Sequence, residues 1–454
     1  MPANDPRQPG ERHRLIDRII SPFTALEPGE GADAALLTLS VFLLLTAYYV
    51  LKVVREPLIL SAGGAELKSY TSAAQAVLFL FMVPAYGWLA NRVDRGRLIA
   101  TVTLFFIANI IVFYFMALAS APGLGVAFFI WVGIFNMMIV AQFWSYANDV
   151  YTPDQGKRLF AIIGFGQTAG AACGGLFSKY LIQRLHVHQL LLVAGALLCL
   201  YLVVIFVVQR RMRRYLHIAR VDDDVMVDKR GGFTLILKSR YLFLIAVLLW
   251  ALNFSNTNGE FILGRVVTAH AHAVSQGLTG APADEAVKHF IGAFYADYFT
   301  WVNVVTALIQ LFLVSRIMRY FGVQIALYVL PVVALGAYSI VAFTPLLALI
   351  RAAKISENSL DYSLNNTARQ ALFLPTSREA KYKAKAAIDT LFVRAGDLSS
   401  AALVFVGTHL AFQTRGFAIS NMVVISVWLV IVTALGRHYK RLVEVPRENS
   451  VPAN

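Results

Sequence analysis

Long apolar stretches, each about 20 residues in length, follow one another along the chain from Ala34 onward. A helix needs about 20 mostly apolar residues to cross the hydrocarbon core of a bilayer, whereas membrane β-barrels show short alternating segments. We therefore predict an all-α membrane protein. Its twelve predicted transmembrane helices cover residues 34–60, 68–90, 97–119, 125–148, 159–184, 189–208, 240–268, 287–315, 322–343, 345–374, 383–412 and 416–436.

The polar segments between these helices predict the domain organisation. The longest runs from Gln209 to Ser239 and separates six helices from six. Two six-helix bundles joined by a central linker are typical of major-facilitator-type transporters. We divide the chain into an N-terminal segment (1–33), an N-terminal six-helix bundle (34–208), a linker (209–239), a C-terminal six-helix bundle (240–436) and a tail (437–454).

Composition agrees with a membrane protein and narrows the alternatives. Hydrophobic residues make up 58% of the 454 residues and charged residues 15%, whereas soluble domains carry about 25% charged residues. A secreted disulfide scaffold is excluded, because the chain has two cysteines. Both of them, Cys173 and Cys199, lie within predicted spans and are interpreted as small packing residues.

The net charge of +14 is interpreted as a topology signal rather than as a nucleic-acid surface. Basic residues follow every second predicted helix: Arg92, Arg95, Arg97, Lys157, Arg158, Arg210, Arg211, Arg213, Arg214, Arg220, Arg316, Arg319, Arg378, Lys381, Lys383, Lys385, Arg437, Lys440 and Arg441. The positive-inside rule places both termini in the cytoplasm, and the short loops fit a bacterial inner membrane. Residues His13 to Phe23 have one apolar helical face, which indicates either an interfacial helix or a loosely ordered extension.

Ionisable residues within the spans identify the candidate site, because each costs about 2.5–3.5 kcal/mol at a helix centre. The first predicted helix carries Lys52, Arg55 and Glu56. Lys52 and Glu56 are four residues apart and can pair on one face. A purely structural pair near the outer interface remains the alternative.

The tenth predicted helix has the clearest pattern. Its residues Arg351, Lys354, Asn358, Asp361 and Asn365 recur at spacings of three and four and form one polar stripe. Such a stripe cannot face lipid, so we expect it to line water or another polar helix. A buried structural network is the alternative.

Other predicted helices add further candidates. The seventh contains Asn256, Gly259 and Glu260, and its Asn and Gly content favours a broken or flexible helix. Glu260 could pair with a cation, carry a proton or face Arg265. Asp297, in the eighth predicted helix, is interpreted as isolated and is given no role.

The cations of the first, tenth and eleventh helices outnumber the acids placed near them, which indicates a cavity that attracts anions. The candidate substrate-binding residues are Lys52, Arg55, Glu260, Arg351, Lys354, Lys383 and Lys385. The candidate cavity or coupling residues are Glu56, Asp149, Asn256, Asp361 and Asp389. For the two lysines of the eleventh helix, the alternative to substrate binding is that they are ordinary cytoplasmic charges of the positive-inside kind. For Asp149, the alternative is a position at the end of its helix or in a loop near the cytoplasm.

Motifs for other chemistries are absent from the sequence. It contains no P-loop, no H-E-x-x-H and no Cys/His cluster with metal spacing, so we expect neither an enzyme nor a cofactor or metal. The glycine-rich string GFGQTAGAACGG, which begins at Gly164, lies within a predicted span. Small-residue helix packing explains it better than dinucleotide binding.

Four segments resemble the ATP/ADP translocases of plastids and obligate intracellular bacteria. They are YVLKVVREPLILSAGGAELKSY, FWSYANDVYTPDQGKRLF, the helix with Glu260, and LFLPTSREAKYKAKAAID, which ends at Asp389. The resemblance implies nucleotide exchange across a membrane, with cations of the first and eleventh helices binding phosphate. The chain departs from the family where Lys52, Arg55 and Glu56 replace its order of Arg, Lys and Asp, and where Val132 replaces an acid.

These observations predict a secondary active transporter of an anionic solute, preferably a nucleotide, that works by alternating access. We expect a monomer in the lipid bilayer with no nucleic-acid partner. One alternative is a proton-coupled carrier of another organic anion or amphipathic compound, with Glu260 or Asp361 as the proton site. Another is a membrane scaffold or sensor that transports nothing.

Overall fold

A computed structural model describes residues 30–90, 95–151, 153–212, 232–344, 346–376 and 384–444. The regular elements within these ranges are all helical. The α-helices are α1 (Glu30–Ala90), α2 (Arg95–Leu118), α3 (Leu124–Val150), α4 (Pro153–Ile182), α5 (Gln189–Met212), α6 (Gly232–Lys238), α7 (Arg240–Val274), α8 (Ala281–Ile309), α9 (Ser315–Tyr320), α10 (Gly322–Phe343), α11 (Leu347–Leu360), α12 (Asn366–Leu372), α13 (Lys385–Ala387), α14 (Val393–His409) and α15 (Thr414–Glu444).

The helices account for the predicted spans. Within the described ranges, ten helical segments are long and apolar enough to cross a membrane. The first of them holds two predicted spans, because α1 is interrupted by non-helical backbone at Gly63 and Gly64. The predicted span 345–374 contains α11 and α12 and is too polar to be counted among the ten. The predicted all-α membrane fold is therefore confirmed.

Among the described residues, π-helical turns lie inside predicted spans at Gln310–Val314, Asp361–Asn365 and Ile388–Phe392. A π turn rotates the residues that follow it relative to a regular α-helix, and such turns are frequent at functional sites. The second of them falls within the polar stripe that the sequence predicted, and the third begins directly before Asp389.

The chain forms two compact units. The first consists of Met1–Arg55, Tyr86–Leu124 and Trp131–Asp222. In it, α2 packs against α5, and α4 approaches the first part of α1 very closely. A Cβ atom on Gly170 would overlap the carbonyl oxygen of Phe42, and one on Gly174 would lie 2.7 Å from the Cβ of Tyr49. The glycine-rich string therefore serves helix packing, as predicted.

The second unit consists of Glu56–Ala85, Gly125–Ile130 and Asp223–Asn454. Helix α7 packs against α8, α11, α14 and α15 and lies at the centre of this unit. Of the expected broken or flexible helix, the break is wrong, because Arg240–Val274 is one continuous α-helix. Its asparagines bond to neighbouring helices instead. Asn253 donates to the carbonyl of Val393 at 2.7 Å, and Asn258 donates to the carbonyl of Phe417 at 3.1 Å.

Some predicted features lie outside the described residues. They are the interfacial helix at 13–23, linker residues 213–231, tail residues 445–454 and Lys383. The side chain of Asp149 is also outside the description, although its backbone belongs to α3.

The close contact at Gly170 predicts a position-specific effect on stability. Gly170→Ala should destabilise the protein by about 1–3 kcal/mol, the usual cost of overpacking, because the new methyl group would meet the backbone of Phe42. Gly164→Ala, on the same helix, is the matched control, since a Cβ there meets nothing within 4 Å. The check is the melting temperature of each purified variant in detergent. Equal melting temperatures would contradict the assigned contact.

Candidate functional site

Five charged side chains of the second unit lie close together. Glu56 and Lys68 come from α1, before and after the backbone break at Gly63 and Gly64, Glu260 comes from α7, and Lys354 and Glu357 come from α11. We refer to these five residues as the five-charge cluster. A buried charge has a high desolvation cost unless it is paired, and each member of the cluster lies within ion-pair distance of another.

The first pair joins Lys68 to Glu56. The Lys68 ammonium lies 2.7 Å from Glu56 Oε2, and the Glu56 side chain is fully buried. Lys68 Nζ also lies 5.2 Å from the centre of the Tyr295 ring, a geometry that favours a cation. These contacts fix Lys68 at one end of the cluster.

The second pair joins Lys354 to Glu357 on one face of α11. Lys354 Nζ lies 3.1 Å from Glu357 Oε2 and donates to Asn256 Oδ1 at 2.9 Å. The Tyr338 hydroxyl donates to the same Glu357 oxygen at 2.8 Å. Gly259 makes room for this arrangement, because a Cβ there would overlap the Tyr338 hydroxyl and lie 2.9 Å from Lys354 Nζ.

Glu260 lies between the two pairs. Its Oε2 is 3.7 Å from Lys68 Nζ, and its Oε1 is 3.8 Å from Lys354 Nζ. Tyr298 and Asn358 each donate a hydrogen bond to Oε1 at 3.1 Å. With its side chain 24% exposed, Glu260 is the most accessible of the five.

The polar stripe of the tenth predicted helix lies against α7 and α8. Lys354, Asn358, Asp361 and Asn365 are all buried. Arg351 forms an ion pair with Asp297 of α8, so the interpretation of Asp297 as isolated is wrong. The sequence could not show this pairing, because it depends on how α8 packs against α11.

The formal charges of the cluster do not show the surplus of cations that the sequence indicated. Lys68 and Lys354 face Glu56, Glu260 and Glu357, so the five charges sum to −1. Arg351 is matched by Asp297 in the same way. An anion therefore meets a cluster in which an acid already lies near each lysine.

Other predicted site residues have contacts outside the five-charge cluster. Lys385 and Asp389 line a small pocket of about 150 Å³ together with Arg369, Gln370 and Phe373. Lys52 and Arg55 belong to the first unit, where the Lys52 ammonium lies 5.2 Å from the centre of the Tyr49 ring. The roles predicted for these residues, for Lys383 and for Asp149 remain predictions.

Sequence reasoning assigned no role to four contributors to the site: Lys68, Tyr298, Tyr338 and Glu357. Lys68 stands at the start of a predicted span, where a lysine is usually interpreted as an interfacial charge. Its proximity to Glu56 follows from the backbone break at Gly63 and Gly64, which lie between the two residues. Two adjacent glycines in an apolar stretch, with an acid before them and a lysine after them, were the available signal.

Comparison with known proteins identifies the family. The family model described as Major Facilitator Superfamily matches residues 36–359. This chain belongs to the major facilitator superfamily. A second family model, described as TLC ATP/ADP transporter, matches residues 337–439 of this major facilitator.

Relatives and solved structures agree with this assignment. The chain is 24% identical to ADP,ATP carrier protein 1 of Chlamydia pneumoniae, over 70% of this chain and 69% of the relative. It is 22% identical to ADP,ATP carrier protein 4 of Rickettsia bellii, over 96% of each. The crystal structure of the nucleoside transporter NupG has the same fold, with a TM-score of 0.62 and 12% identity over 91% of this chain and 99% of the other.

These findings confirm the predicted resemblance to ADP,ATP carriers and the major-facilitator-type fold. The protein is an integral membrane transporter rather than an enzyme.

The buried pair in α11 predicts a strong asymmetry between single and double variants. Lys354→Met alone should destabilise the protein by about 3–5 kcal/mol, because it leaves the buried Glu357 carboxylate without its cation. The double variant Lys354→Met/Glu357→Gln should recover most of this loss, since no buried charge is left unpaired. Melting temperatures in detergent test both variants, and a double variant less stable than the single would contradict the pairing.

Proposed function

We propose that this major facilitator exchanges nucleotides of the ATP/ADP type across a bacterial inner membrane by alternating access. The observation that carries the proposal is the alignment with the ADP,ATP carrier protein 4 of Rickettsia bellii, which extends over 96% of both chains. The TLC ATP/ADP transporter match at 337–439 agrees with it, and that range contains α11 and Lys385.

The charged residues fit an anionic substrate. Lys52 and Arg55 lie within the apolar part of α1, where an unneeded charge is costly. A lysine provides a point charge for a phosphate, and an arginine provides a planar set of donors. Arg351 and Lys354 place two further cations on α11. We assign phosphate binding to these four residues and to Lys383 and Lys385.

The acids among the predicted site residues have a different role in this proposal. Glu260 and Glu56 compensate buried lysines when no substrate is bound. Asp361, Asn256, Asp149 and Asp389 are assigned to the cavity or to coupling. In this proposal, substrate and acids contact the cations in turn.

Proton-coupled transport of another organic anion is the second candidate. It is favoured by the partly exposed Glu260 carboxylate beside two lysines, a position in which a proton could replace a cation as the partner of the acid. This carrier would move its substrate without a counter-substrate on the other side of the membrane.

Exchange in proteoliposomes distinguishes the two candidates. We expect labelled ATP to enter vesicles loaded with unlabelled ADP and not to enter empty vesicles, because an exchanger needs a substrate on each side. Uptake into empty vesicles under a proton gradient would favour the second candidate. Absence of ATP uptake in both cases, with folded protein in the membrane, would contradict nucleotide exchange.

The cations of α1 provide a mutational test of the same proposal. Lys52→Gln/Arg55→Gln should lower the exchange rate at sub-saturating ATP by at least about tenfold, equivalent to about 1.4 kcal/mol of lost binding. Lys238→Gln is the control, since Lys238 is an exposed lysine at the end of the short helix α6. Wild-type exchange by the double variant would exclude the binding role of Lys52 and Arg55.

A further inference from the structure

We propose that Lys68 and Lys354 form a paired-cation subsite for a phosphate group of the transported anion, and that Glu260 occupies this subsite when no anion is bound. The proposal rests on the proposed function and adds to it a residue, Lys68, and an exchange of partners within the five-charge cluster.

The position of the Glu260 carboxylate is the first argument. Its two oxygens face different lysines, Oε2 toward Lys68 at 3.7 Å and Oε1 toward Lys354 at 3.8 Å. These separations exceed the 2.7–3.2 Å of N–H···O hydrogen bonds, so Glu260 is held at each lysine by charge rather than by a hydrogen bond. A phosphate also presents separate anionic oxygens and would bridge two ammonium groups in the same manner.

The second argument is the contrast with the other two acids. Glu56 lies 2.7 Å from Lys68 and is fully buried, and Glu357 lies 3.1 Å from Lys354 with its side chain 5% exposed. Glu260 is 24% exposed. Glu56 and Glu357 therefore act as permanent partners of the lysines, whereas Glu260 is the acid that an entering anion can replace.

Charge balance is the third argument. With Glu260 in place, the five charges sum to −1, and without it the remaining two lysines and two acids sum to zero. Like charges a few ångströms apart repel each other strongly in a low-dielectric site. An anion and an ionised Glu260 consequently exclude each other at the two lysines.

The structure also provides partners for Glu260 after displacement. The Tyr298 hydroxyl and Asn358 Nδ2 both donate to Glu260 Oε1, and Asn358 Nδ2 donates to the Tyr298 oxygen at 2.7 Å. These neutral donors stabilise a carboxylate without requiring either lysine. The exchange therefore leaves Glu260 hydrogen-bonded.

Affinities of purified full-length variants test the subsite. Isothermal titration calorimetry in detergent would measure the binding of ATP, ADP and pyrophosphate. Glu260→Gln keeps the shape of the side chain and removes its charge, so we expect all anions that bind the wild type to bind about fivefold or more tightly. A purely structural Glu260 would give no gain in affinity.

The variant that removes Lys68 must not leave the buried Glu56 carboxylate unpaired. Lys68→Gln/Glu56→Gln removes both members of the buried pair. It should weaken anion binding about tenfold or more, because one of the two cations of the subsite is lost. Lys238→Gln is the matched control and should bind as the wild type does. If the double variant fails to fold, the Glu260→Gln affinity still decides the proposal.

The outcomes separate the subsite from the proposed function. If pyrophosphate shows the expected pattern while neither nucleotide binds, the subsite stands and nucleotide exchange fails. If Glu260→Gln binds as weakly as the wild type or more weakly, or if Lys68→Gln/Glu56→Gln binds as the wild type does, the subsite is overturned. Binding of none of the three probes to the wild type also overturns it.

Discussion

The cost of holding charges inside an apolar helical protein is the constraint on which the second unit depends. A lone charge at a helix centre costs several kcal/mol, so each lysine of the five-charge cluster is fixed by a buried acid. The acids of the cluster lie on helices that the chain must bring together: α1, α7 and α11. The cluster thus links these three helices, and α7 also buries apolar side chains such as Ile245, Leu248 and Leu249.

The sequence predicts the transmembrane helices and their polar faces better than it predicts which side chains form ion pairs with each other. Apolar runs locate the spans because the bilayer sets their length, and the spacing of Arg351, Lys354 and Asn358 shows that one face of a helix is polar. The partners of that face come from other helices, and helix packing determines them. Asp297 illustrates the difference: no basic residue lies within four positions of it along the chain, yet it pairs with Arg351 in the folded unit.

Asparagine and glycine in α7 show how one composition permits two structures. Both residue types weaken a helix, so their presence near Glu260 indicates a break. In the folded unit, Asn253 and Asn258 donate to carbonyls of other helices, and Gly259 provides space for Tyr338 and Lys354. Polar side chains that bond across helices stabilise packing without unwinding the helix that carries them. Sequence alone cannot distinguish a weakened helix from one supported by its neighbours.

A buried charge network and a binding site for an anion are compatible when the acids differ in how firmly they are held. If all the ion pairs were short and buried, the network would only stabilise the fold. An anion could then bind a lysine only by breaking a buried ion pair, at a high cost in free energy. Here, two acids are close and buried, whereas Glu260 is more exposed and farther from both lysines. The two short pairs hold the lysines in position. When substrate is absent, Glu260 places a further negative charge beside both lysines, and its displacement leaves each lysine with its own buried acid.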